Sequence, residues 1–149
     1  MVFGQIAGLC VKKIFIHIGP PKTGSSAIQN WLCNNADYLS RQGIYYPTHD
    51  SDVNKISSGN VLSIYDRQED KSLEFNESKV TELLERFNNG DWHTLLLSSE
   101  YFYNNCEELS KIFQDAIFIA YIRSPLEFLE STYNQSVKRH GNTKEILLP

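Results

Sequence analysis

The sequence predicts an α/β fold, a parallel sheet flanked by helices in a three-layer sandwich. Three observations carry that expectation. Short apolar runs alternate with amphipathic stretches along the chain. The runs are apolar on both faces, as strands covered from two sides are. Glycine and proline follow several of them, at the strand ends where open α/β sheets place their ligand sites.

Each element has its own signal. Residues 1–12 read as an N-terminal extension, because the first firm run begins only at Lys13, and residues 13–149 read as one domain. The run Lys13-Ile-Phe-Ile-His-Ile18, closed by Gly19-Pro20-Pro21, predicts a buried strand. Ala27, Ile28, Trp31 and Leu32 recur at helical spacing and predict a helix over 24–35. A second strand over 43–47 ends at Pro47. Residues 49–76 are polar and read as a surface excursion with a helix near 59–66. Its length points to a functional loop. Val80, Leu83, Leu84 and Phe87 make the stripe of a helix over 77–88. Strands at 94–98 and 116–122 bracket a short helix at 107–113. Pro125 then opens a last helix, with Leu126, Leu129, Tyr133 and Val137 on one face.

Composition bounds the function. The 149 residues can bury a core without disulfides or metals. The net charge is −4 and the isoelectric point is about 5.5. That balance argues against a nucleic-acid partner but leaves room for a locally positive pocket. Cys10, Cys33 and Cys106 are widely spaced and odd in number, so they read as free thiols, in the simplest case small buried hydrophobes. The N-terminus lacks the marks of a signal peptide, and no run is long enough to span a membrane. A cytoplasmic protein without a membrane partner is expected.

The loop after the first strand carries the chemistry. Gly19 and Gly24 stand with four residues between them, the spacing of a loop that wraps backbone N–H groups round a phosphate at a helix N-terminus. A triphosphate loop needs lysine directly after the second glycine and then a metal-binding hydroxyl. Here Ser25 follows Gly24, and the lysine comes earlier, at Lys22. Neither the run ending in Ser98-Ser99-Glu100 nor the one ending in Arg123 offers a metal-binding aspartate. Such a loop is expected to hold a phosphate-like anion with lysine and hydroxyls, without a metal. Helix capping by Thr23 or Ser25 explains one hydroxyl, not the whole constellation.

Gly-Pro-Pro-Lys-Thr-Gly-Ser-Ser followed by an apolar helix resembles the 5′-phosphosulfate loop of sulfotransferases that use 3′-phosphoadenosine 5′-phosphosulfate (PAPS). Tyr121-Ile122-Arg123-Ser124-Pro125, with Ser131 eight residues after the arginine, is similar to that family's 3′-phosphate motif. The two motifs stand about a hundred residues apart in the family's order, and the likeness runs from Lys13 to about Gly141. The resemblance implies a P-loop-like nucleotide-binding fold, with PAPS as co-substrate. It implies that Lys22 touches the phosphosulfate bridge, that Thr23, Gly24, Ser25 and Ser26 hold the 5′-phosphate, and that Arg123 and Ser131 grip the 3′-phosphate. It implies transfer of a sulfuryl group to a hydroxyl or amine of a small-molecule or carbohydrate acceptor.

Transfer to a hydroxyl needs a general base. Glu100 and His49 both follow strands. Glu100 is preferred, the carbohydrate-type enzymes being similar in using a glutamate. His17 and His93 read as structural, and Lys138, Arg139 and His140 as compensation for a helix dipole. Tyr101, Phe102 and Tyr103 read as packing, with an acceptor platform as the alternative. Sulfotransferases usually continue well past the second motif, whereas this sequence stops at Pro149. The rival expectation is therefore a truncated, inactive domain that binds PAPS or 3′,5′-adenosine bisphosphate, and dimerisation is one way to cover the apolar surface left bare.

Overall fold

A computed structural model describes residues 11–20, 22–49 and 58–140. In chain order the elements are β1 (Lys13–His17), α1 (Ser25–Asn34), α2 (Ala36–Arg41), β2 (Ile44–Tyr45), β3 (Tyr65–Arg67), β4 (Leu73–Phe75), α3 (Glu77–Asn89), β5 (Thr94–Ser98), α4 (Cys106–Ile112), β6 (Ile117–Ile119) and α5 (Pro125–His140). Short 3-10 helices lie at Val61–Ser63 and Glu100–Tyr103. Strands β2, β5, β1 and β6 form one parallel sheet in that order. The α/β expectation holds.

Side-chain alternation along β5 shows how the helices divide. Leu95 and Leu97 are fully buried in a cluster with Ile16 of β1, Val80, Leu83 and Phe87 of α3, and Leu109 of α4. Leu96, pointing the other way, packs with Leu32 of α1, Leu39 of α2 and Tyr46. Both faces of β5 are therefore covered, which is why its sequence is apolar without alternation.

Several expected boundaries move. The predicted strand 116–122 is ordered as β6 only over Ile117–Ile119, where it pairs with Phe15 to His17. Beyond Ile119 the chain leaves the sheet, and Ile122 is 94% exposed. The helix expected near 59–66 is only the 3-10 turn Val61–Ser63, and an antiparallel hairpin of β3 and β4 follows it. Each strand of that hairpin has three residues, too few for alternation to register. Its turn also lacks the usual glycine: Lys71 takes the left-handed conformation, φ 69°. Residues 50–57 of the excursion, residues 1–10 of the extension with Cys10, Pro21 and 141–149 lie outside the described residues. Lys12, assigned to the extension, is part of the fold. Its ammonium donates to the carbonyls of Phe87 (2.6 Å) and Gly90 (2.9 Å) at the end of α3 and lies over the Phe87 ring. Cys33 and Cys106 are free, and Cys106 is exposed rather than buried.

One buried amide fastens the excursion to the sheet. Strand β2 pairs with β5 only as far as Leu95. Past that point Asn60 takes over: its side chain accepts from Ser98 N–H (2.8 Å) and donates to Leu96 C=O (3.2 Å), and its own N–H donates to Ser98 C=O (3.0 Å). Gly59 beside it has φ +76°, and a Cβ there would sit 1.8 Å from Ser98 O, so this approach requires glycine. Asn60→Ala strands the buried Ser98 N–H. It is expected to cost about 1–3 kcal/mol in urea unfolding, the range for an unsatisfied buried donor.

Candidate functional site

Parallel pairing puts the C-terminal ends of β1, β5 and β6 on one side of the molecule, and the loop after β1 crosses that side. Ile18 makes the last sheet contact, donating to Ile119 C=O. The loop then turns through two left-handed residues, Lys22 at φ 70° and Gly24 at φ 88°. Thr23 hydroxyl donates back to Pro20 C=O (2.7 Å) and so braces the loop itself. Helix α1 starts at Ser25 with no side-chain cap, so its first N–H groups are free of one.

The residues singled out in the loop face two different ways. Lys22 lines an open cleft of about 490 Å³ together with Arg123, Ser131 and Lys138. Ser26 lines a separate cavity of about 400 Å³ with Glu100. Ser25 joins the two sides. It is 1% exposed, and its hydroxyl donates to the Glu100 carboxylate.

In the first cleft, Arg123 follows β6 and Ser131 lies on the α5 face turned toward it. The guanidinium bridges elements distant in sequence: it donates to Lys22 C=O (3.1 Å) and to Glu127 Oε2 (3.3 Å). Glu127 and Glu130 also line the cleft and dilute its positive charge. Lys138, read from sequence as dipole compensation, lines this cleft as well. Its signal was present in the spacing, since Ser131 and Lys138 are two helical turns apart and share a face.

Beneath the loop lies His17, a residue the sequence reading set aside as structural. It is 3% exposed and ends β1. Nδ1 is hydrogen-bonded to Ser98 Oγ (2.8 Å), and the ring meets Tyr121 edge-on at 5.4 Å. Among the described residues Nε2 is buried without a partner, and it would lie 3.0 Å from a Cβ added to Gly19. A buried polar atom next to the loop after β1 is a feature that packing alone does not require. Burial pulls the His17 imidazolium below its ordinary value, with the Glu100 charge opposing.

Glu100 opens the 3-10 helix that follows β5 and Ser99. Ser99 caps that turn, accepting from Tyr101 N–H, while its own N–H donates to His17 C=O. His49, the other base candidate, accepts or donates through Nε2 with Tyr46 hydroxyl (3.0 Å), and its carbonyl receives the Cys33 thiol. It sits beside α1's C-terminal half rather than in either cavity. The aromatic trio separates: Phe102 is fully buried in the core, Tyr101 lines the Glu100 cavity, and Tyr103 lines an apolar hollow of about 590 Å³ with Thr23, Tyr121 and Phe128. His93 bonds Thr94 hydroxyl and Gln42 C=O.

Among the described residues no helix is long and apolar enough to cross a membrane. No family model matches the chain, and comparison with curated proteins and with solved structures finds no match.

The His17 environment predicts a pH dependence. In the unfolded chain the ring titrates near 6.5, and in the fold lower. Between those values the unfolded chain takes up a proton that the fold refuses. Stability is therefore full above 6.5 and falls as pH drops through that value. The denaturation midpoint should fall between about pH 7.5 and 5.5, and His17→Gln should flatten that slope.

Proposed function

We propose that the chain is a PAPS-dependent sulfotransferase domain with a P-loop-like nucleotide site. The observation that carries this reading is the meeting of Lys22 with Arg123 and Ser131 in one cleft at the strand ends, although about a hundred residues separate Lys22 from the other two. A ligand with two phosphate ends is what the paired motifs suit. Lys22 and the α1 N-terminus take one end, Arg123 and Ser131 the other. The loop has room for such a group: a Cβ at Gly24 would meet nothing within 4 Å, and among the described residues the buried Nε2 of His17 stands under the loop without a partner.

The co-substrate supplies an activated sulfuryl group, and the chain's residues do the rest by position and charge. Glu100, on the Ser26 side of the loop, accepts the proton of the acceptor hydroxyl as the new S–O bond forms. Lys22, on the other side, neutralises the charge that gathers on the departing phosphate as the old S–O bond breaks. No metal is part of the reading.

Transfer from labelled PAPS across a panel of hydroxyl acceptors tests it. Lys22→Ala is expected to lower turnover by at least about 100-fold, in the range for one lost electrostatic partner, with an unchanged melting temperature. Unchanged turnover would remove the assignment. Glu127→Gln frees the Arg123 guanidinium. It should tighten 3′,5′-adenosine bisphosphate about two- to fivefold by calorimetry, the scale of an exposed ion pair.

One observation favours a second reading, in which the domain binds the nucleotide without catalysing. The Glu100 carboxylate already accepts the buried Ser25 hydroxyl, a contact that gives it a structural role of its own. Bisphosphate binding with no transfer to any acceptor would select that reading.

A further inference from the structure

The Glu100 cavity has a second wall that the nucleotide chemistry does not use. The β3–β4 hairpin leans over it and contributes Arg67 and Lys71, facing Ser26, Ser99, Glu100 and Tyr101. Three of the hairpin's four acids, Asp66, Asp70 and Glu74, are occupied elsewhere, and Glu69 is the exception. Asp66 is held by Lys79 (2.6 Å) and by the Asn76 amide. Asp70 receives both the N–H and the hydroxyl of Ser72, and Glu74 receives the Gln68 amide. The Lys79 contact keeps the Asp66 carboxyl below the usual carboxylate range. Arg67 and Lys71, by contrast, have no hydrogen bond or ion pair from their side chains among the described residues.

We propose that this cavity is a subsite for an anionic group on the acceptor, a carboxylate held by Arg67 and Lys71 while a hydroxyl of the same molecule reaches Glu100. The inference rests on the sulfotransferase reading for the word acceptor, and on the hairpin alone for the charge. Three features support it. The volume, about 400 Å³, falls in the range of small-molecule sites, about 300–1,000 Å³. An arginine fork suits a carboxylate in two-point contact, and a lysine adds a point charge. The half-buried Tyr101 lines the same cavity, its hydroxyl tied to Leu73 C=O (3.3 Å) and its ring set edge-on against Tyr65. An aromatic face fixed in this way suits a sugar ring. Glu100 shares the lining, so an acceptor carboxylate belongs at the Arg67 and Lys71 end of the cavity and its hydroxyl at the Glu100 end.

The backbone supplies a clean variant. Lys71 occupies the third loop position of the hairpin, between Gln68 and Ser72, at φ 69°. Glycine is the residue that position favours. Lys71→Gly therefore removes the charge while relieving the turn, so lost binding in it is not lost folding.

The experiment is a nitrogen-15 NMR titration of the whole chain with glucuronate and, separately, with glucose, followed by Arg67→Gln and Lys71→Gly. Glucuronate should shift the amides of residues 67–72 and of Tyr101, with at least about tenfold higher affinity than glucose. Each variant should weaken glucuronate severalfold, and Lys71→Gly should keep or raise the melting temperature. Equal response to the two sugars, shifts mapping outside the hairpin and Tyr101, or undiminished glucuronate binding in the double variant would overturn the proposal. Titration with 3′,5′-adenosine bisphosphate separates the two claims. Its affinity should be the same in both variants as in the native chain. If the native chain binds glucuronate at the hairpin but no bisphosphate, the nucleotide reading and the acceptor assignment fall together. If it binds bisphosphate but not glucuronate, the acceptor charge alone falls.

Discussion

The parallel register of β1 against β5 governs the molecule. Lys13 lies opposite Thr94 and His17 opposite Ser98, so both strands end at the same level. That coincidence sets His17 beside Ser98, where ring and hydroxyl bond at 2.8 Å, and lets the backbone continue the match as Ser99 N–H donates to His17 C=O. A slip of one residue would turn His17 out of its pocket and carry Ile16, wholly buried, to the wrong face. Because the strands end together, the loop that leaves β1 and the 3-10 helix that leaves β5 arise side by side. Ser25 and Glu100 can then meet, although neither is near the other in sequence.

From that shared edge the two cavities diverge. Helix α1 stands between them: Lys22, just before it, turns to the side of β6 and α5, while Ser26, in its first turn, turns to the side of the β3–β4 hairpin. In the proposed reading this division separates the nucleotide from the acceptor, with the transferred group crossing at Ser25 and Glu100. The hairpin gains its place from Gly59 and Asn60, which dock the excursion on the uncovered stretch of β5. The Asn60 amide thus has a structural duty that shapes a site it does not line.

Much of this was legible in the residues. The run of Ile, Phe and Leu in β1 and β5, the Gly–Pro closure and the stripe of α3 specify strands and helices locally, because propensity and periodicity are properties of neighbours in sequence. The loop's unusual lysine position and the spacing of Arg123 and Ser131 could likewise be read directly. The surroundings of His17 were not legible, because a lone polar residue in an apolar strand has no spacing signature. What distinguishes it is the bond to Ser98 and the unpartnered Nε2, both products of pairing. The hairpin was missed because three-residue strands are too short for a period and its left-handed turn carries lysine.

By itself, then, the sequence determined the α/β class, the order of the main elements and which polar residues stand at the strand ends. The tertiary structure alone decided which of them share a cavity. It set Lys22 with Arg123, Ser131 and Lys138, Ser26 with Glu100, and Arg67 with Lys71 over the same floor. The reason is physical: a strand's chemistry is fixed by its own residues, but what faces the end of a strand depends on register and on which chain segment satisfies the remaining sheet edge.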